Sequence, residues 1–264
     1  MAEADALPEQ GLTPAVLDDA DALPLADAQP AGEEKVMTLV DHLSELRNRI
    51  VVVLVAVAVG TAVGFWQAGR IISLLKAPLP TERPLVFTGL GDAFFINLKV
   101  ALVFGIIVAM PVILYEVWAF VSPGLTARER RLARPWVPLA LFFFVLGVVV
   151  AYLVLPYASS FLLSFQSADL QALITADAYF GFVSTMFLVF GLAMEFPIVL
   201  VLLSKVGIVT SKALAARRRQ ALLVIAIVAA LATPGGDPIS PIILGVTMYG
   251  LYEVSIQLVR VTGR

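Results

Sequence analysis

The sequence contains no cysteine and a single histidine, His42. Without thiols the chain can form neither a disulfide framework nor a thiolate metal site, and one imidazole is too few for the usual zinc sites. Charged residues are also scarce: they make up 14% of the 264 residues, against about 25% in soluble domains. We therefore expect no metal, no cofactor, no enzymatic activity and no nucleic-acid partner.

Apolar residues make up 60% of the chain and fall into six segments. A helix needs about 20 apolar residues to cross the hydrocarbon core of a bilayer, and four segments reach that length. The sequence predicts an all-α integral membrane protein with six transmembrane helices, the fifth and sixth short, within a domain spanning 36–260. A re-entrant hairpin over 221–258 is the alternative for the last two. The predicted spans are about 50–66, 94–121, 136–157, 178–204, 221–232 and 241–258.

The distribution of Lys and Arg predicts the orientation of the chain in the membrane. If the N-terminus lies inside, 14 of the 18 basic residues fall in the N-terminal segment, the inner loops or the C-terminal end. Basic residues concentrate on the cytoplasmic side of membrane proteins, so we expect both ends of the domain there. Residues 1–35 hold nine acidic residues and one basic residue, and we interpret them as a disordered acidic tail.

Two polar segments border the predicted spans. Apolar residues recur at helical spacing over 36–50, which predicts an amphipathic helix on the inner membrane face, with Glu45 and Arg49 among the polar residues on its other side. That polar side has a plainer interpretation as a solvated face that anchors the first span. In the first inner loop Glu129 is a lone acid among arginines, and by itself it reads as a local salt-bridge partner.

Glu195 is a carboxylate inside the fourth apolar segment, two residues before Pro197. It lies ten residues before Lys205, which places it about 15 Å from the inner end of the span. A charge near the bilayer centre costs about 2.5–3.5 kcal/mol on insertion scales, so such a residue normally faces a cavity or a partner. Pro197 removes a helical hydrogen bond at the same depth. The alternative is a neutral Glu that hydrogen-bonds a neighbouring helix.

Five motifs stand in a fixed order along the chain. They are H-L-S-E-L-R at 42–47, P-V-I-L-Y-E-V-W-A-F at 111–120, R-E-R-R at 128–131, F-G-L-A-M-E-F-P at 190–197 and T-P-G-G-D-P-I-S at 233–240. In order and spacing they resemble the TatC family, the core subunit of the twin-arginine protein translocase. The resemblance extends from about residue 37 to 258. It differs in the last outer loop, where Gly235 and Gly236 are extra and Pro241 replaces a usual Gln.

The resemblance implies a cupped six-helix bundle in the cytoplasmic membrane that exports folded proteins by using the proton-motive force. Glu45 and Glu129 would hold the arginine pair of a signal peptide, with His42, Arg47 and Phe120 in the same site. Glu195 and Pro197 would form an intramembrane polar site. Single-span subunits of the TatA/TatB type would pack near the fifth and sixth spans, and several copies of the chain would assemble in the complex.

Two other classes of function remain open at this stage. A proton- or ion-coupled small-molecule transporter could use Glu195 as its ion site, although the two halves of the chain show no matching broken helices. An intramembrane protease would need a nucleophile motif or a metal pair, and the sequence has neither G-x-S-x-G nor H-E-x-x-H.

Overall fold

The computed structural model describes residues 39–79, 84–126, 130–131, 134–167, 173–205, 207–233 and 236–262. The predicted acidic tail, 1–35, lies outside these residues. Val40–Arg264 forms one compact unit. The described helices are α1 (Leu39–Trp66), α2 (Ala68–Lys76), α3 (Asp92–Val121), α4 (Trp136–Leu163), α5 (Ala176–Ala193), α6 (Phe196–Lys205), α7 (Ser211–Ala216), α8 (Arg218–Ala232) and α9 (Ile239–Thr262), with a 3₁₀ turn at Ser122–Gly124.

Five of the described helical segments are long and apolar enough to cross a membrane. They are α1, α3, α4, α9 and the pair α5–α6, which together cover Ala176–Lys205. The helix at the fifth predicted span, α8, has 15 residues and rises about 22 Å, which is less than a hydrocarbon core of about 30 Å. A short helix at this segment is thus confirmed, and its crossing of the membrane stays a prediction.

The sixth helix is longer than its apolar segment predicts. We expected a short helix over 241–258, but α9 has 24 residues, Ile239–Thr262. Pro241 lies in its first turn, where proline is tolerated because its missing N–H has no intrahelical partner. At the other end the helix continues through polar residues such as Arg260. Apolar content therefore marks the middle of this helix and not its ends.

The amphipathic segment before the first span is not a separate helix. It is the first part of α1, which runs unbroken from Leu39 to Trp66. The prediction of a helix lying on the membrane face is therefore wrong for the described part of that segment, since no turn separates it from the span. Its polar residues stand in the same helix as the first membrane crossing.

The core of the bundle lies around α5. The segment Ala176–Lys205 is the most buried of the five candidate spans, and α1 is the least buried. On α5 the fully buried side chains include Val183, Met186 and Phe190. They pack in one hydrophobic cluster with residues of α3, α4 and α9, for example Ile96, Leu155 and Ile256.

Glycines let two helix pairs approach closely. A Cβ at Gly60 of α1 would lie 2.8 Å from the carbonyl oxygen of Gly105 on α3, and one at Gly64 would lie 2.8 Å from that of Ala101. Small residues are the usual means of close helix contact in membranes. A second crossing joins α4 to α5, where a Cβ at Gly147 would lie 2.8 Å from the Cα of Gly191.

The connection between α2 and α3 is attached to the start of α5. The Val86 N–H donates to the Ile174 carbonyl over 3.1 Å, and the Ala176 N–H donates to the Val86 carbonyl over 2.8 Å. The Tyr179 hydroxyl donates to the Leu75 carbonyl over 2.7 Å, and Lys99 Nζ lies 2.6 Å from Asp177 Oδ1. The connection between α1 and α3 therefore contains α2 and is hydrogen-bonded to the bundle.

Candidate functional site

Two helix faces meet near the N-terminal end of α1. His42, Glu45 and Arg49 are three and four residues apart, so they share one face of α1. Glu116 and Phe120 are four residues apart and share one face of α3. The structure brings these two faces together, and the resulting group of five side chains is called here the α1–α3 polar cluster.

Arg49 connects the two carboxylates of the α1–α3 polar cluster. Its Nε donates to Glu45 Oε1 over 3.0 Å, its Nη2 donates to the same oxygen, and its Nη1 donates to Glu116 Oε2 over 2.8 Å. The side chains are largely buried, with exposed fractions of 24% for Arg49, 19% for Glu45 and 13% for Glu116. Arginine suits this position because its planar fork can serve two carboxylates at once.

The second oxygen of Glu45 has no hydrogen-bond partner among the described residues. Oε2 is buried, and His42 Nδ1 is 4.0 Å away, beyond hydrogen-bond distance. The His42 ring stacks on Phe120 with centroids 4.3 Å apart and planes 10° apart. This stack forms an aromatic wall beside the unpaired oxygen. The cluster can therefore offer a carboxylate oxygen and a flat apolar surface to an incoming cation.

Three of the five predicted signal-peptide residues lie together in this cluster: His42, Glu45 and Phe120. Arg47 is exposed and stands two residues from Glu45, so the two side chains do not face each other. Glu129 lies outside the described residues. The roles of all five residues remain predictions.

Glu195 and Pro197 interrupt the fourth span. Residues 194–195 form a turn between α5 and α6, and Pro197, which has no N–H, is buried in the first turn of α6. The backbone carbonyl of Glu195 accepts from the N–H groups of Ile198 and Val199. Glu195 is half-buried, and its Oε1 is buried with no hydrogen-bond partner among the described residues. Glu195 and Pro197 were expected to form an intramembrane polar site, and that role stays a prediction.

A third feature lies between α8 and α9. Arg218 Nε donates to Glu253 Oε1 over 2.7 Å and Nη2 donates to Oε2 over 2.9 Å, which is a two-oxygen ion pair. The two helices border an apolar groove with a volume of about 390 Å³. Its lining residues include Leu222, Ile225, Ile242 and Val246.

The sequence profile described as Sec-independent protein translocase protein (TatC) matches residues 41–246. The chain belongs to the TatC family. A TatC crystal structure titled as the twin-arginine translocase receptor superposes with a TM-score of 0.72 at 33% identity, covering 82% of this chain and 98% of that one. The fold and the sequence thus agree, and the family supports the translocase interpretation over the small-molecule transporter.

Curated relatives of the TatC family come from bacteria and a plant. The Sec-independent protein translocase protein TatC of Desulforapulum autotrophicum is 40% identical over 237 residues, or 88% of this chain and 87% of the relative. The protein from Aquifex aeolicus is 34% identical, covering 86% and 97%. The chloroplastic protein of Arabidopsis thaliana is 36% identical, covering 88% and 69%. With its long apolar helices, this TatC chain is a multi-pass membrane protein and a protein translocase component.

The sequence did not identify Arg49 and Glu116 as members of the α1–α3 polar cluster. Arg49 was assigned to the polar side of a surface helix, and Glu116 appeared only as part of the motif at 111–120. A usable signal existed, because a carboxylate within an apolar helix needs a counter-ion and Arg49 lies at the matching end of the preceding span. The missing information was which helices pack against each other.

Proposed function

We propose that this TatC chain is the receptor and core scaffold of a twin-arginine translocase. In this role it binds the arginine pair of a signal peptide at its cytoplasmic face and takes part in exporting folded proteins across the cytoplasmic membrane, driven by the proton-motive force. The observation that carries the proposal is the buried Glu45 Oε2, which has no hydrogen-bond partner among the described residues and lies beside the His42–Phe120 stack. A guanidinium can hydrogen-bond this oxygen and lie against the aromatic wall.

The second signal arginine is assigned to Glu129 by the family motif. Two arginines call for two acids, because an arginine left without a counter-ion in a partly desolvated site costs free energy. Arg47 belongs to the same motif, and its exposed position suits contact with the outer part of the peptide. The apolar segment of the signal peptide would supply the remaining affinity along the bundle.

The arrangement in the membrane completes the proposal. We propose six spans within residues 36–260 with both ends in the cytoplasm, α8 being the fifth span, and residues 1–35 as a disordered tail. This orientation follows from the concentration of Lys and Arg in the inner loops. Single-span partners of the TatA/TatB type would pack near α8 and α9, where the apolar groove offers a surface for a helix. Several copies of the chain would assemble with them.

An Arg-Arg signal peptide should bind the purified chain more tightly than the same peptide with Lys-Lys. Lysine is a point donor and cannot copy the planar fork of arginine, so we expect the Lys-Lys peptide to bind about tenfold more weakly. Fluorescence anisotropy with a labelled peptide and the chain in lipid nanodiscs measures both dissociation constants. Equal binding of the two peptides would contradict the receptor proposal.

Replacing Glu195 with Ala should separate binding from export. Glu195 lies between α5 and α6 and not in the α1–α3 polar cluster, so peptide affinity should stay within about twofold of wild type. We propose that the polar site at Glu195 and Pro197 contacts a helix of the cargo signal or of a partner during transport. Export of a folded reporter should therefore fall strongly. Peptide anisotropy and reporter fractionation give the two readouts.

Thr185→Val is the matched control for the Glu195 variant. It removes a polar group from the same helical segment, and the described partner of its hydroxyl is the Gly181 carbonyl within α5. We expect the control to retain export. If Glu195→Ala lowers peptide affinity and export together, Glu195 contributes to the receptor site or to the fold, and its assignment to a later step is wrong.

A further inference from the structure

We propose that Arg49 is a built-in competitor of the signal arginine and that Glu116 holds it aside. This inference rests on the proposed receptor function and adds a regulatory pair to that site. Arg49 already makes the contact with Glu45 that a signal arginine requires. The affinity for the signal therefore depends on how much of the Glu45 carboxylate Arg49 covers.

The geometry of the Arg49–Glu45 contact carries the inference. An arginine and a carboxylate usually pair through two parallel hydrogen bonds that use both carboxylate oxygens. Here two donors of Arg49, Nε and Nη2, contact the same oxygen of Glu45. Its third donor nitrogen, Nη1, contacts Glu116 Oε2 at 2.8 Å. The bond to Glu116 accounts for the one-sided pairing, because it draws the guanidinium away from Glu45 Oε2.

The Arg218–Glu253 pair shows the alternative geometry in the same chain. There Nε and Nη2 contact separate oxygens of one carboxylate, at 2.7 and 2.9 Å, and this arginine has no second acid among its described partners. Without Glu116, Arg49 is free to adopt that arrangement with Glu45. It would then occupy Oε2, the Glu45 oxygen without a hydrogen-bond partner among the described residues.

The charge of the α1–α3 polar cluster fits the same conclusion. Glu45, Glu116 and Arg49 sum to −1 with His42 neutral, so one further cation neutralises the described cluster. A buried carboxylate oxygen without a hydrogen bond is costly, and an incoming guanidinium removes that cost. Glu116 thus keeps one oxygen of Glu45 ready, and Arg49 limits how strongly that oxygen attracts a cation.

The inference predicts effects of opposite sign for the two partners. Glu116→Gln replaces the charged acceptor of Nη1 with a neutral amide oxygen, which holds Arg49 less strongly. Arg49 can then cover both oxygens of Glu45, and Arg-Arg peptide binding should weaken about fivefold. Arg49→Gln removes the competitor and should tighten binding about fivefold. The double variant leaves Glu45 with no competitor, so it should bind at least as tightly as wild type even though Glu116 is absent.

The test uses the full chain in lipid nanodiscs at one ionic strength, because partly exposed ion pairs are screened by salt. The probe is a labelled Arg-Arg signal peptide, with its Lys-Lys counterpart as the specificity control. Arg260→Gln is the charge-matched control, since Arg260 is exposed at the end of α9 and its one hydrogen bond among the described side chains is donated to Gln257 Oε1 over 3.5 Å. It should leave the peptide affinity within about twofold of wild type.

Tighter binding by Arg49→Gln, weaker binding by Glu116→Gln and restoration in the double variant support the proposal. Equal or weaker binding by Arg49→Gln overturns it, because a residue that merely supports the site would give that result when lost. If Arg49→Gln does not yield folded protein, Arg49→Lys carries the test: it keeps the charge, loses the fork, and should still tighten binding. A wild-type chain that does not prefer Arg-Arg over Lys-Lys contradicts the receptor function itself, and not only the role of Arg49.

Discussion

Replacing Glu45 with Gln should abolish most of the affinity for an Arg-Arg signal peptide and reduce export of a folded reporter to background. The substitution keeps the size of the side chain and removes the charge that attracts the signal arginine. A hydrogen bond to a charged group contributes about 1.5–3 kcal/mol, which corresponds to roughly a tenfold to hundredfold loss of affinity. Because only 19% of the Glu45 side chain is exposed, water replaces the lost interaction poorly.

Asp41→Asn is the control for the Glu45 variant. Asp41 is an exposed acid one turn earlier on the same helix, so its replacement removes the same charge from the same end of α1. We expect its peptide affinity to remain within about twofold of wild type. An equal loss in both variants would indicate general attraction between an acidic surface and a basic peptide, and Glu45 would then have no special role.

Replacing Gly147 with Ala should lower the thermal stability of the chain by several degrees. The added Cβ would meet the Phe190 carbonyl oxygen, the Gly191 Cα at 2.8 Å and the Met194 Cγ at 2.8 Å. Two of these atoms belong to the backbone of α5, so the helices must move apart. Overpacking of this kind costs about 1–3 kcal/mol, or roughly 2–12 °C of melting temperature for a chain of this size.

Gly250→Ala gives the opposite expectation and serves as the control. Gly250 lies within α9, and beyond the adjacent residues and the backbone of its own helix no described atom stands within 4 Å of a Cβ added there. Alanine favours a helix over glycine by about 1 kcal/mol, so the melting temperature should stay the same or rise slightly. Melting followed by intrinsic fluorescence in one detergent compares the two variants. A stable Gly147→Ala protein would contradict the close approach of α4 and α5.

The membrane spans could be read from the sequence because lipid contact demands long apolar stretches. The predicted span 94–121 corresponds to Asp92–Val121, and 136–157 corresponds to Trp136–Leu163. The errors lie at helix ends. Helix α4 continues past Pro156 to Leu163. Helix α9 starts before Pro241 and ends after its apolar segment. In both cases backbone hydrogen bonding continues where apolar content stops.

Part of the site could be predicted from sequence motifs, and not from apolar content. His42, Glu45 and Phe120 were named from motifs, and the structure brings them together. The link between Arg49 and Glu116 joins residues 67 positions apart, and no local pattern encodes which face of one helix meets which face of another. The sequence also could not predict that Glu45 Oε2 has no hydrogen-bond partner among the described residues. That depends on which carboxylate oxygens accept from the Arg49 guanidinium.

The glycine contacts of α1 determine which of its positions can tolerate change. Most of its large apolar side chains, such as Val52, Val55 and Val59, are exposed on the membrane side and need only be apolar. Gly60 and Gly64 have no side chain, yet each would place a Cβ 2.8 Å from a backbone oxygen of α3. In soluble cores the bulky residues are the ones that resist exchange. Along α1 the smallest residues resist exchange most, because no methyl group fits at Gly60 or Gly64.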